Sequence, residues 1–277
     1  MNAPVDVPAY LRRIGYRGGA GATLETLQGL VAAHNRSIPF ENLDPLLGVP
    51  VADLGAPALT DKLVYRRRGG YCYEHNGLLG YVLETIGFEV DRLAGRVVWM
   101  SADDNLPAQT HQFLSVAIPG VGGRFLVDVG FGGQTLSSPI RFEVDVEQPT
   151  RHEPYRIRRQ DGGFVLEALI RDRWERLYLF TDRPQPRIDL EVGSWYVSTH
   201  PQSVFVVGLT ASLVTDDARW NMRGRNLTVH TRAGTERTRL RTADEVVQTL
   251  VEHFNLDLAT VGARADIEKR VDEVLDS

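Results

Sequence analysis

The chain has 277 residues, 43% of them apolar and 24% charged, with 26 glycines, 14 prolines and a single cysteine. At roughly 150 residues per domain this is about two domains' worth of chain, which buries a sizeable core without staples; one thiol can neither close an intramolecular disulfide nor supply the paired thiolates of a zinc site. A net charge of -5 with both signs interspersed offers no general attraction for nucleic acid, and the arginine-rich stretches at 66–68 and 156–159 are too short to outweigh it.

The opening residues, MNAPVDVPAYLRR, lack the apolar stretch of a secretory signal. The longest charge-free stretch, 192–215, contains His200, Pro201 and Gln202 and fails as a membrane span. The expectation is a cytoplasmic protein with neither a membrane nor a nucleic-acid partner.

Residues 1–87 read as mainly helical. Leu24, Leu27, Leu30 and Val31 recur at helical spacing behind Thr23, a capping residue type, and Pro39 stops that helix before an extended IPFENL segment. A further helix begins at or just after Cys72, where Leu78, Leu79, Val82, Leu83 and Ile86 share a face and Gly87 stands as C-cap. From 88 to 190 the period changes to two. The runs EVDRLAGRVVWM, HQFLSVAI, RFLVDVG, PYRIRRQ, GFVLEAL and RWERLYLF, separated by turn residues, predict an antiparallel meander or small barrel. Residues 191–277 mix an apolar run, VFVVGL, a strand, NLTVHT, and an amphipathic helix around 243–255, a smaller α/β portion that closes the chain. No internal repeat and no low-complexity segment interrupts this order.

The lone thiol, Cys72, is either a buried small hydrophobe or a reactive group. It lies in RRRGGYCYEHNG, residues 66–77, where Gly69 and Gly70 permit positive φ or close backbone approach and turn the chain into a helix start. Helix-end amides favour a thiolate, but lowering a thiol pKa by two units needs about 2.7 kcal/mol, and one helix end supplies about 0.3–1, at most about 2 kcal/mol. A second cation is needed, and an imidazolium fits.

Seven histidines compete for that role: His34, His75, His111, His152, His200, His230 and His253. His75 shares a helix face with Cys72, but no third residue is in place to orient it. His111 opens the strand HQFLSVAI, which the turn PGVGG joins to RFLVDVG with Asp128. In such a hairpin His111 and Asp128 share a face only if paired residue numbers sum to an odd value. A four-residue loop pairing Ile118 with Gly123 puts Asp128 opposite Phe113 and diagonal to His111; a five-residue loop puts the two on opposite faces. The odd register is the expectation. A Cys-His-Asp set of this kind suits nucleophilic attack on an activated acyl carbonyl, with His sharing the thiol proton and Asp fixing its tautomer. The competing reading of His111 is a satisfied strand histidine, whereas an acid between Val127 and Val129 is costly to bury unpaired.

IPFENL (38–43), RRGGYCYEHN (67–76), THQFL (110–114), DVGFGG (128–133) and HPQSVF (200–205) together resemble the arylamine N-acetyltransferase family. They occur in the family's order over essentially the whole chain, with the motif around Cys72 the most specific. The resemblance implies an α+β fold: an N-terminal helical bundle (1–87), a central antiparallel β-barrel (88–190) and a C-terminal α/β lid (191–277), with a papain-like triad of Cys72, His111 and Asp128. It implies ping-pong acetyl transfer from acetyl-CoA, a co-substrate and not a tightly bound cofactor, to a small aromatic amine, hydrazine or hydrazide, without a metal. Phe40, Phe131 and Phe205 match the aromatic lining of the amine pocket; Phe40 and Phe205 have a competing role as core residues. His75, Val97, Trp99, Thr110, Gly130, Gly132 and Gly133 match positions of CoA contact, the glycines by presenting backbone amides to the pyrophosphate. Trp99 has a competing role inside the barrel. Three rivals share these features: a macrolactam-forming amide synthase resembling the same family, a cysteine hydrolase, and a catalytically inactive binding module, which would be expected to have lost a triad residue.

Overall fold

A computed structural model of the chain describes residues 5–101 and 106–274. Helix α1 (Val7–Ile14) starts where the Asp6 carboxylate accepts the Ala9 amide, and α2 (Leu24–Ser37) starts where Thr23 Oγ1 accepts the Thr26 amide. The chain then becomes extended at Ile38 ahead of Pro39 and makes the two-residue strand β1 (Phe40–Glu41) and the short helix α3 (Leu43–Leu46). Helix α4 (Ala56–Thr60) runs into a wider π-helical turn at Asp61–Tyr65. Helix α5 (Cys72–Ile86) ends at Gly87, whose φ of 105° a side-chain-bearing residue rarely adopts. Leu27, Leu30 and Val31 of α2 share a core with Leu78, Leu79, Val82 and Leu83 of α5. Burying each of these is worth about 1.5–3 kcal/mol, more than helix propensity differences supply, so packing is what holds the two helices.

Seven strands follow as one antiparallel sheet: β2 (Glu89–Val97), β3 (His111–Ala117), β4 (Phe125–Val127), β5 (Ile140–Arg141), β6 (Tyr155–Gln160), β7 (Gly163–Ile170) and β8 (Arg173–Phe180), in the order β5-β4-β3-β2-β8-β7-β6. Bridges from Val144 to Ile157 and from Gln148 to Tyr155 bring its two edges together, so the sheet is a nearly closed barrel. Strand alternation divides the burial. Phe113, Leu126 and Tyr178 fill the barrel, while Leu114, Val116 and Val127 face the helical core. The β3–β4 register pairs Leu114 with Val127, Ser115 with Leu126 and Val116 with Phe125, the odd sum expected of a four-residue loop.

Helices α6 (Arg187–Thr199) and α7 (Val204–Val207) lead to β9 (Thr210–Val214), β10 (Ala218–Arg223), β11 (Asn226–Thr231) and β12 (Gly234–Arg239), then α8 (Ala243–Glu252) and α9 (Arg264–Val274). The five-stranded sheet has the order β1-β9-β10-β11-β12. Two segments pack away from their sequence neighbours. β1 pairs with β9, Phe40 opposite Ser212, and Leu43 and Leu46 join the core under α8 and α9. Leu190 and Val197 of α6 instead join the helical core. Both follow from backbone and apolar groups finding partners across the fold. Asn42 secures the first exchange: its Nδ2 donates to the carbonyls of Phe205 and Gly208, and its Oδ1 accepts the Thr210 amide. Among the described residues no helix is long and apolar enough to cross a membrane.

Candidate active site

The turn into α5 is shaped by close approach. A Cβ on Gly69 would lie 2.0 Å from the Pro39 carbonyl oxygen and one on Gly70 2.5 Å from Glu74 Oε2. Neither glycine has a positive φ; the left-handed residue of this turn is Arg67, at 52°. Gly69 therefore lets the Pro39–Glu41 segment touch the turn, where the Glu41 amide donates to the Gly70 carbonyl at 2.8 Å, and Gly70 leaves room for the Glu74 side chain. Beneath it lies a buried ionic cluster. Arg68 Nη2 is 2.7 Å from Glu41 Oε1 and 2.8 Å from Asp44 Oδ1, and Lys62 Nζ is 2.6 Å from both Asp44 and Glu74. Glu74 also accepts the Tyr71 amide at the helix start. Burial pushes the Glu74 carboxyl up to about 6 against the pull of Lys62. Burial works against charge on Lys62 too, but Glu74, Glu41 and Asp44 outweigh it and hold the amine above its ordinary value.

Cys72 is the first residue of α5, 4% exposed, with its S–H donating to the Thr110 carbonyl at 3.7 Å. His111 Nε2–H donates to Asp128 Oδ2 at 2.8 Å, and the Cys72 sulfur lies within hydrogen-bond reach of the ring. With Nε2 committed to Asp128, Nδ1 is the nitrogen left for the sulfur. Continuing the hairpin register past Val127 puts Asp128 opposite Phe113. Asp128 Oδ1 accepts from Asn76 Nδ2 at 3.0 Å and from the Gly130 amide at 2.9 Å. Asn76, one turn beyond Cys72, also donates to the Gln112 carbonyl and accepts the Val129 amide, so it ties both hairpin strands to α5. Its amide does this with three bonds, a role that its place in the YEHNG motif does not reveal.

Burial alone would strip the proton from His111, but the charge and hydrogen bond of Asp128, with Cys72, outweigh it and raise the pKa to about 10. Burial would likewise raise Asp128, yet His111, Asn76 and the Gly130 amide hold its carboxyl below the usual carboxylate range. A raised folded-state pKa means that the His111 contribution to stability is complete below the ordinary 6.5 and is lost as pH rises through about 10. The difference in unfolding free energy between the protein and His111→Gln is therefore expected to shrink as pH is raised from 6.5 toward 10. Denaturant titrations of both proteins across that range check it; a constant difference refutes it.

Cys72 and His111 open into a cavity of about 310 Å³. Of the residues expected at the site, Phe40, Val97, Trp99, Thr110, Gly130, Phe131, Gly132, Gly133 and Phe205 also line it, and Asp128 stands fully buried behind His111. Phe40 and Phe205 meet edge-on with centroids 5.8 Å apart, and Phe131 meets His111 edge-on at 5.0 Å. A larger cleft of about 520 Å³ lies at the β6–β7 turn and contains neither Cys72 nor His111.

Two expectations are corrected. His75 does not reach the cavity: it is 1% exposed, and both ring nitrogens are taken, by His34 at 2.8 Å and the Pro39 carbonyl at 3.1 Å. The Gly130 amide is committed to Asp128, so it has no free N–H for a pyrophosphate. What the glycines provide is close approach: a Cβ on Gly130 would lie 2.7 Å from Cys72 Cα, and one on Gly133 2.2 Å from Asn221 Oδ1. Val197, Ser203, Val204, Thr210 and Ser212 complete the lining from the last third of the chain. The HPQSVF motif flags their neighbourhood, but the pairing that brings Thr210 and Ser212 in is long-range and leaves no local signal.

A thiol beside an imidazole that is pinned by a buried carboxylate, in the lining of a cavity that also holds three phenylalanines, is equipped for acyl transfer. The N-acetyltransferase family model matches residues 23–262. Over 274 residues the chain is 64% identical to an arylamine N-acetyltransferase of Mycolicibacterium smegmatis, covering 99% of each. The chain belongs to the arylamine N-acetyltransferase family. It is thus an acyltransferase. An arylamine N-acetyltransferase of Mycobacterium tuberculosis (strain ATCC 25618 / H37Rv) is 59% identical over 272 residues, 98% of this chain and 96% of that one. The solved structure of the Mycobacterium marinum arylamine N-acetyltransferase in complex with CoA matches with a TM-score of 0.95 at 56% identity, over 97% of this chain and 99% of that one.

Proposed function

We propose that the protein transfers acetyl groups from acetyl-CoA to arylamines, arylhydrazines and hydrazides in two half-reactions through an acetyl-Cys72 thioester. The observation that carries this reading is that Cys72 and His111 line one cavity with the sulfur beside the imidazole and Asp128 2.8 Å from its Nε2. In the first half-reaction the thiolate attacks the acetyl carbonyl, the new carbon–sulfur bond replaces the bond to CoA, and His111 gives its proton to the departing CoA sulfur. Exchange of one thioester for another is nearly isoenergetic. In the second, the amine nitrogen attacks the acetyl-cysteine, His111 takes the N–H proton, and the Cys72 thiolate leaves. An arylamine is largely neutral at pH 7, so its lone pair is available, and Phe40, Phe131 and Phe205 offer faces and edges to its ring.

The CoA complex of the M. marinum relative supports the same acyl donor here. Val97, Trp99, Thr110, Gly132 and Gly133, all in the cavity lining, are the contacts we assign to it. Incubation with acetyl-CoA and no amine is expected to add one acetyl group to the intact mass, absent in Cys72→Ala. Aniline or a hydrazide then removes the group and accelerates CoA release. An unacetylated wild-type protein under these conditions overturns the reading, and peptide turnover in its place points to a hydrolase.

A further inference from the structure

We propose that His75 is a positioning residue for the amine pocket: through a buried hydrogen-bonded chain running Tyr10, His34, His75 and the Pro39 carbonyl, it sets where the Phe40 ring stands. The proposal deepens the function proposed above and rests on it. Tyr10 Oη is 2.8 Å from His34 Nδ1, His34 Nε2 is 2.8 Å from His75 Nδ1, and His75 Nε2 is 3.1 Å from the Pro39 oxygen. All three side chains are buried. The end of the chain fixes its direction. A carbonyl only accepts, so His75 donates from Nε2 and accepts at Nδ1; His34 then donates from Nε2 and accepts the Tyr10 hydroxyl at Nδ1. Burial keeps both imidazoles neutral, taking His75 down to about 4 against the carbonyls of Pro39 and Gly70, and His34 is lowered by burial together with His75 and Arg13.

A buried polar chain is tolerable only when every member is satisfied, and the members of this one are satisfied by one another across α1, α2, α5 and the Pro39 turn. The ring after that turn, Phe40, lies parallel to His75 at 10°, centroids 6.3 Å apart, within the range of offset stacking. The ring also meets Phe205 and the Gly132 backbone, while the Phe40 main chain pairs with Ser212 and bridges Gly70. An apolar side chain at 75 would fill the space without specifying the position of Pro39. The groups that hold Cys72, His111 and Asp128 are different ones, Asn76 and the Gly130 amide. Loss of His75 therefore separates the two half-reactions.

In His75→Phe, the KM for aniline or an aryl hydrazide is expected to rise about tenfold, while the single-turnover rate of Cys72 acetylation stays within about twofold of wild type. His75→Gln, which keeps a donor and an acceptor, is expected to recover part of the loss. Independently of any variant, nitrogen-15 spectra of the wild-type imidazoles near neutral pH are expected to show His34 and His75 as neutral Nε2–H tautomers, a readout indifferent to how well a variant folds. An unchanged amine KM, a parallel fall in acetylation rate, or an Nδ1–H tautomer at His75 overturns the proposal. Absence of acetyl-Cys72 in the wild type sinks the function and this role together, whereas a normal wild type with an unmoved amine KM in His75→Phe sinks the role of His75 alone.

Discussion

Asp128→Asn is expected to slow acetylation of Cys72 by about four orders of magnitude, as loss of the orienting carboxylate does in other nucleophile–His–Asp sites, while leaving the fold intact. The reason lies in the bonds that the new amide inherits. Asn76 Nδ2 and the Gly130 amide both donate to Oδ1, so the amide oxygen takes that place and its NH2 turns toward His111 Nε2. Nε2 must then accept, and the proton moves to Nδ1, the nitrogen that should receive the thiol proton. The imidazolium also loses the charge that holds its pKa at about 10. Stopped-flow acetylation by acetyl-CoA measures the rate, and iodoacetamide alkylation of Cys72 against pH reads the second effect: the alkaline limb near 10 should move toward the ordinary imidazole value of 6.5. A variant within tenfold of wild type would remove Asp128 from the mechanism.

Arg68→Ala is expected to carry the largest stability loss, about 3–5 kcal/mol, the cost of breaking a buried ion pair from one side, which lowers Tm by about 10 °C for a chain of this size. Arg68 is 3% exposed, its Nε and Nη2 both bond Glu41, and Nη2 also meets Asp44. Without it, Glu41, Asp44 and Glu74 share Lys62 as their one remaining cation in the cluster. Burial opposes the Arg68 charge, yet Glu41 and Asp44 hold the guanidinium above its ordinary pKa, so it cannot shed its proton to ease the strain of sharing. Arg68→Lys keeps the charge and loses the fork, and is expected to fall between the two. Scanning calorimetry decides it; a loss under about 1 kcal/mol would mean that water reaches the cluster and screens it.

Much of this is legible in the residues because it is local. The α2 and α5 boundaries follow from Thr23, Pro39 and Gly87, single residues with one strong backbone or capping preference. The side shared by His111 and Asp128 follows from loop length and strand alternation, and the observed register agrees. Local reasoning fails where the partner is distant. Nothing in IPFENL says that Phe40 will pair with Ser212, or that Leu43 and Leu46 will pack beneath α8. The same limit applies to His75: the resemblance implies a CoA contact there, but its burial against His34 and Pro39 depends on how α2 and the Pro39 turn lie against α5. Gly69 and Gly70 announce that something comes close without naming it; the neighbours are the Pro39–Glu41 segment at Gly69 and the Glu74 side chain at Gly70.

The β1–β9 pair also orders events during synthesis. The nucleophile helix leaves the ribosome early, but Asn42 finds its Thr210 partner only 168 residues later. Until β9 emerges, Phe40 has no strand to lie against, and the Phe205 side of the cavity does not exist. Contacts this far apart in sequence form late. A nascent chain that ends before α6 therefore carries the thiol in a cavity that lacks Val197, Ser203, Val204, Phe205, Thr210 and Ser212, and its wall is complete only once β9 has been made.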